Sequence, residues 1–280
     1  MTELARRTIS ELRARYELEP GLRDVYVEGK FDQEILSNFF RGPDFRDRMI
    51  YDIDSVEVPT ALLIAHGFTD GNKQRIIALA RELANLPDEC QYRCLVDRDL
   101  DHWFGPLEST TRLTWTEFCS IELYFFSNEI LRDLLITTAK SKISSWEVYL
   151  DSLIATLRDL YALRLADRAL GWSLEWLSID RCLSRHESRI IFALPDYIDR
   201  LMKKNRKMGT KQQFDHSFAL WQQKLSGDPR SHIRGHDLID LLAWTIAEFR
   251  GIKEFSSQVA IQRLLVLLAP NTPGLIGVLQ

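Results

Sequence analysis

No apolar run in this 280-residue chain approaches the roughly 20 residues that a membrane-spanning helix requires; residues 264–269 form one of the longest. The amino terminus carries Thr2, Arg6 and Arg7 but no hydrophobic stretch, so no signal peptide is expected. Cysteine is scarce. Cys90, Cys94, Cys119 and Cys182 fit neither a disulfide framework nor a C-x-x-C pair, and with the histidines they give no zinc spacing. Cys90 and Cys94 flank a β-like run and read as small buried hydrophobes. Reduced thiols and the missing leader lead to the expectation of a cytoplasmic protein without a membrane role. Positive charge is not in surplus either. The net charge of -4 means that a nucleic-acid partner would need a local basic face, since affinity comes from cations neutralising phosphates. A nuclease, which needs carboxylates of its own, is not disfavoured. Internal repeats and low-complexity tracts are also absent. The remainder is ordinary: 45% apolar and 27% charged residues, enough for one large or two modest domains.

The periodicities divide the chain into two halves. Leu4, Ala5, Ile9, Leu12 and Tyr16 share one face of a helix over 3–16, ended by Pro20 and Gly21, with its arginines on other faces. Val25 to Val27 reads as a buried strand. Gly29 provides a sharp turn, and Asp32 stands where a carboxylate favours a helix start. Phe31, Ile35, Leu36, Phe39 and Phe40 stripe that helix until Arg41-Gly42-Pro43. Residues 49–58 alternate as a strand or a bent pair of strands. Gly71-Asn72-Lys73 opens a helix closed by Pro87. Residues 90–96 and 112–115 are two further strands, and Ser120 is expected to cap the helix after them. This alternation predicts an α/β fold, a mostly parallel sheet flanked by helices. It stops near residue 135. A helix over 146–170 follows, then short β-like passages at 172–183 and 190–194. Helices near 196–207, 211–225, 236–250 and 256–268 complete a mainly α-helical C-terminal region. The boundary is expected at 139, giving domains 1–139 and 140–280.

The strands of the first half end on acids. Glu28 follows the first, Asp97, Asp99 and Asp101 the third, and Glu122 lies shortly after the fourth. In a parallel sheet all strand carboxyl ends share one edge, so these groups converge on one crevice. Alternate residues of an extended Asp97-Arg98-Asp99 would face a common point. Converging carboxylates repel, and unless they hold cations some must protonate. Mg²⁺, or Mn²⁺ in its place, suits such a set of hard oxygen ligands. Two such ions could activate a water and stabilise the leaving oxygen of a phosphodiester. A lone D-x-D is weak; the combination in this order is stronger.

Four segments carry a resemblance: Tyr26-Val27-Glu28-Gly29-Lys30-x-Asp32, Gly71-Asn72-Lys73, Leu95-Val96-Asp97-Arg98-Asp99-x-Asp101 and Ser120-Ile121-Glu122-x-Tyr124. Together, over about residues 22–135, they resemble the TOPRIM-like, OLD-type nucleases. More narrowly they resemble the stand-alone bacterial family that includes the effector of the PARIS anti-phage system. The resemblance implies a TOPRIM-like domain over 1–139, a Mg²⁺-dependent nuclease activity and a nucleic-acid substrate, tRNA foremost and DNA second. It also implies an ABC-type ATPase partner that restrains the effector, and a homodimer when active. By motif position Glu28 would be the essential acid, as metal ligand or general base. Asp97 and Asp99 would hold the metals, with Asp32 and Glu122 completing the shell. A topoisomerase would need a tyrosine nucleophile in a further large domain, so cleavage by water is favoured.

Lys30 and Lys73 are candidates for stabilising charge on the phosphate, the second in a helix first turn that disfavours cations. The Gly71 and Asn72 amides could cradle a phosphate or serve as an ordinary turn. Lys203, Lys204, Arg206 and Lys207, with Lys211 beyond, read as a solvated helix end or as a track along a phosphate backbone. Arg234 and His236 would extend that track, and Asp237 is expected to cap the next helix. His102 could be a base or a loop residue, and Trp103 and Phe104 could stack on bases or dock their loop. Two other functions compete. A HAD-type phosphatase would want D-x-D after its first strand, where this chain has Glu28. A catalytically silent binding or regulatory module on the same scaffold is the other.

Overall fold

The computed structural model describes residues 6–42, 48–108 and 110–279, so the expected helix positions Leu4 and Ala5 and the stop at Pro43 lie outside the described residues. The chain forms two compact units, 1–124 with 264–280, and 125–263. The division falls before the expected boundary at 139, and the last segment returns to the first unit.

In the first unit β1 (Arg7–Thr8) leads into α1 (Ile9–Leu18), where Thr8 and Glu11 form a reciprocal capping box. β2 (Val25–Val27) and α2 (Lys30–Phe39) follow as the sequence predicts. Residues 49–58 become a bent pair, β3 (Ile50–Asp52) and β4 (Val56–Glu57), joined by a 3₁₀ turn. The short helix α3 (Thr60–Ala65) was not expected; its six residues are too few for a periodic signal. α4 (Asn72–Glu82), β5 (Arg93–Val96) and β6 (Leu113–Trp115) complete the alternation.

The main sheet has the order β3-β2-β5-β6 with every pairing parallel. β1 and β4 form a separate parallel pair. Side chains alternate across the pleat. Tyr26, Cys94, Val96 and Leu113 share one buried cluster with Leu12 and Tyr16 of α1 and Ile76, Leu79 and Ala80 of α4. Val25, Val27 and Leu95 are buried at the alternate positions, and α2 buries Ile35 and Leu36. The amide of Asn38 on α2 donates to the carbonyl of Val266 at 2.7 Å, tying the returning C-terminal segment to this helix.

The second unit is helical apart from one hairpin. α5 (Asn128–Arg132) is capped by Ser127 and runs into a π-helical turn. Ser120 is therefore not the cap expected; residues 121–125 form a 3₁₀ segment instead. α6 (Trp146–Leu170) ends at Gly171, whose φ of 65° supplies the left-handed stop that glycine takes without strain. β7 (Leu183–His186) and β8 (Arg189–Phe192) pair antiparallel, while 172–179 forms no strand. α7 (Leu194–Lys204), α8 (Lys211–Lys224), α9 (Gly235–Glu248) and α10 (Gln258–Leu268) lie where expected. No single helix among the described residues is long and apolar enough to cross a membrane. The four cysteines are free and buried.

Asp237 does not cap α9. It lies inside the first turn and takes two bonds from the Arg164 guanidinium, at 2.6 and 2.9 Å. Both side chains are largely buried, at 16% and 8% exposure, so removing one strands the other charge. Asp237→Ala should cost about 3 kcal/mol in urea denaturation, and the double change Arg164→Met with Asp237→Leu should recover most of it.

Candidate metal centre

Each carboxylate of the centre is set by the element that precedes it. β2 delivers Glu28 to the carboxyl edge of the sheet, where its Oε1 accepts the Asp97 N–H at 2.8 Å. This bond spans the gap between the ends of β2 and β5, which are neighbours. The chain then turns at Gly29, and Asp32 Oδ2 accepts the Gly29 N–H at 3.1 Å, the side-chain half of a capping box. The Asn72 side chain, at the start of α4, donates to the Glu28 carbonyl at 2.7 Å. This side-chain anchor could not be read from the sequence, where Asn72 stood as a backbone amide for a phosphate or as an ordinary turn residue.

After β5 the chain does not stay extended, as the alternation argument for Asp97 and Asp99 assumed. Asp99 adopts φ 42°, the left-handed region that Asp tolerates better than most residues. Its N–H is held by the Cys119 carbonyl at 2.7 Å, and the Arg98 N–H by Thr116 Oγ1 at 3.0 Å. The turn sends Asp99 toward α4, where Lys73 Nζ donates to Asp99 Oδ2 at 2.5 Å and to Asp101 Oδ2 at 2.9 Å. Lys73 is 15% exposed and lies 6.0 Å from the Trp115 ring centroid. Thr116 and Cys119, both beyond the end of β6, thus shape the Asp97–Asp101 turn; no motif in the sequence announced them.

The electrostatics report crowding. The Glu28 carboxyl is pushed up to about 7, first by burial and then by Asp99 and Asp101, against the opposing pull of Lys73 and the Asp97 N–H. Asp32 is held well above the usual carboxylate range by burial, Glu122 and Glu28. Asp97 is raised likewise, by burial and then by Asp32, Glu28, Asp99 and Glu122. Asp32 and Asp97 keep some surface, yet packed protein surrounds both carboxyls. Lys73 is raised by Asp99, Glu28 and Asp101 together, which outweigh its burial, and it stays a cation. Glu122, in the 3₁₀ segment after β6, is buried at 4% exposure.

Glu28, Asp32, Asp97, Asp99, Glu122 and Lys73 therefore feel one another, although 94 positions separate the first from Glu122 by number. Lys30 does not join them: its side chain is 70% exposed and its Nζ lies 4.0 Å from Asp52 Oδ2. Among the described residues no three His, Cys, Asp or Glu side chains stand in a ready coordination arrangement. The donor chemistry nonetheless fits a hard divalent cation. The acids are all-oxygen ligands, and three of them resist ionisation, first because they are buried and then because neighbouring acids repel them.

The remaining candidates lie elsewhere. His102 and Trp103 form a 3₁₀ turn with Asp101, their rings 5.3 Å apart, and Phe104 beside them is exposed. The basic candidates belong to the second unit. Lys203, Lys204 and Arg206 are exposed at the end of α7. Lys204 Nζ donates to the Trp176 carbonyl at 3.2 Å, and Lys207 lies over the Trp172 ring at 4.5 Å. The Arg164 guanidinium covers the Trp176 ring at 4.4 Å, so the segment 172–177 links the end of α7 to the start of α9. There Arg234 is the N-cap residue and His236 is exposed. No protein-family model matches the chain, and no curated protein matches it.

Glu28 sets a pH dependence whose sign is fixed. Its folded value of about 7 exceeds the unfolded 4.5, so folding favours the protonated acid. The stabilisation is complete below pH 4.5 and is lost as pH rises through about 7. In EDTA, urea stability should fall by roughly 2–3 kcal/mol between pH 4.5 and 8 on account of Glu28, and Glu28→Gln should flatten this slope. Lys73→Met, which removes the opposing cation, should move the midpoint of the same transition to higher pH.

Proposed function

We propose that the chain is a TOPRIM-type nuclease that hydrolyses phosphodiester bonds with a divalent cation, Mg²⁺ or Mn²⁺. The observation that carries the reading is the crowding of Glu28, Asp32 and Asp97, three acids held above their usual ionisation range at the carboxyl edge of one parallel sheet. A cation bound there would supply Lewis-acid polarisation of the phosphate. Glu28, Asp97 and Asp32 would hold it, with Glu122 and Asp99 contributing negative charge. Glu28 is also suited to proton transfer. Its Oε1 is fixed by the Asp97 N–H, leaving Oε2 to take the proton of an attacking water, and a value near 7 suits a general base. Lys73, held by two aspartates, would offset charge developing on the phosphate. The exposed cations Lys203, Lys204 and Arg206, with Lys207, Arg234 and His236, would track the nucleic-acid backbone.

RNA such as tRNA is the favoured substrate and DNA the second. The role as a toxic anti-phage effector rests on the four motifs and their resemblance, as do restraint by an ABC-type ATPase partner and dimerisation on activation. One observation favours a second reading, a catalytically silent module: Lys73 already neutralises Asp99 and Asp101, and no three acids stand ready as ligands among the described residues.

Incubation with tRNA, single-stranded DNA and duplex DNA separates the two. The nuclease reading expects cleavage with Mg²⁺, none with EDTA, and a loss of about 10²-fold or more in Glu28→Gln. Cleavage by the variant at the wild-type rate would sink it. A wild-type protein silent on every substrate, both alone and with its ATPase partner, establishes the module.

A further inference from the structure

The number of acids at the carboxyl edge of the sheet would admit two divalent ions, which in two-ion sites stand about 3.5–4 Å apart and share or divide the carboxylates. A second ion beside Glu28, Asp32 and Asp97 would draw on Asp99 and Asp101. Those two are already engaged. Lys73 Nζ lies 2.5 Å from Asp99 Oδ2 and 2.9 Å from Asp101 Oδ2, so one ammonium spans both carboxylates at the distances of charge-assisted hydrogen bonds. Its side chain is 15% exposed, and the Trp115 ring centroid lies 6.0 Å from Nζ, within reach of a cation–π contact. Asn72, one residue earlier, donates to the Glu28 carbonyl at 2.7 Å, so the turn of α4 that carries the ammonium is fixed to the end of β2.

The backbone favours this pairing over a shared ion. Asp97 and Asp99 would face one ion if the chain were extended. Asp99 instead turns at φ 42°, with its N–H bonded to the Cys119 carbonyl at 2.7 Å. Asp101 opens the 3₁₀ turn that follows, and its N–H donates to the Arg98 carbonyl at 2.9 Å. Both carboxylates thus meet on Nζ, while Asp97 follows β5 directly and gives its N–H to Glu28 Oε1. For a cation to take Asp99 and Asp101 the ammonium would have to leave, and a largely buried charge would be stranded.

We propose that Lys73 takes the place of a second cation, so that the centre binds one divalent ion per chain, on Glu28, Asp32 and Asp97. The inference rests on the metal-dependent reading above and specifies how that site is filled. An ammonium offers one charge where a divalent ion offers two, and it has no coordination position for a water. It can still hold Asp99 and Asp101 in place and stand beside a phosphate oxygen. Asp99, a metal ligand by its place in the D-x-D motif, becomes the counter-ion of the lysine.

Titration of the full chain with Mn²⁺ counts the sites, read by calorimetry and by the electron paramagnetic resonance of the free ion. The wild type should bind one Mn²⁺ per chain. Lys73→Met, which empties the place of the ammonium, should bind two, and Lys73→Arg, which keeps a cation there, should bind one. Asp97→Asn should weaken the ion at least about tenfold. Asp99→Asn keeps the shape of the side chain and suits a left-handed turn. It should retain one ion with an affinity within about threefold of the wild type, and this arm decides the matter where Lys73→Met fails to fold by circular dichroism. Two ions on the wild type, one on a folded Lys73→Met, or an Asp99→Asn as weak as Asp97→Asn would overturn the proposal and leave the nuclease reading standing. A wild type that binds no Mn²⁺ would overturn both.

Discussion

Like charge gathered at the end of a parallel sheet is the constraint around which the first unit is built. Every strand of such a sheet delivers its last residue to the same edge, so Glu28, Asp97 and the acid that follows β6 meet without any local preference for doing so. Two unit charges about 4 Å apart repel by roughly 4 kcal/mol at an effective dielectric of 20. A cluster of several acids is tolerable only with protons, cations or donated hydrogen bonds. This unit uses all three. Backbone N–H groups of Gly29 and Asp97 are aimed at Asp32 and Glu28, Lys73 spans Asp99 and Asp101, and raised proton affinities cover the rest.

The supporting structure follows from that requirement. Asn72 anchors the Glu28 backbone while its neighbour Lys73 reaches the aspartates, so one turn of α4 fixes both sides of the centre. The left-handed Asp99 is an unfavourable conformation for most residues, and its retention depends on the Cys119 carbonyl and Thr116.

What was legible in the sequence was what periodicity governs. Val25 to Val27, Trp146 to Leu170 and the C-terminal helices stand where their apolar spacing put them, because burial of one face decides them. The convergence of Glu28, Asp97 and Glu122 was equally legible, since it needs only parallel strands. Contacts made by polar side chains at a distance were not. Asp237 looks like a cap from its neighbours in sequence, but Arg164, a full 73 residues away, claims it. Ser120 and Ser127 are equivalent as sequence signals, and tertiary packing chose the second.

Lys73 is the residue on which the chemistry of the centre turns. A lysine in the first turn of a helix faces the unfavourable end of the dipole, typically by 0.3–1 kcal/mol, and this one also loses most of its hydration. Both penalties are outweighed only because Asp99, Asp101 and Glu28 surround it, as its raised proton affinity shows. The lysine cannot serve Asp32 and Asp97 as well, and it is there that burial and mutual repulsion are strongest. Its ammonium pairs directly with Asp99 and Asp101, whereas the trio Glu28, Asp32 and Asp97 keeps a raised proton affinity. A hard cation gains most from the trio, where it would replace protons rather than displace an ammonium. The division also gives Lys73 a use that does not depend on coordination: by holding Asp99 in its left-handed turn, it keeps the chain after β5 where Asp97 can bond Glu28.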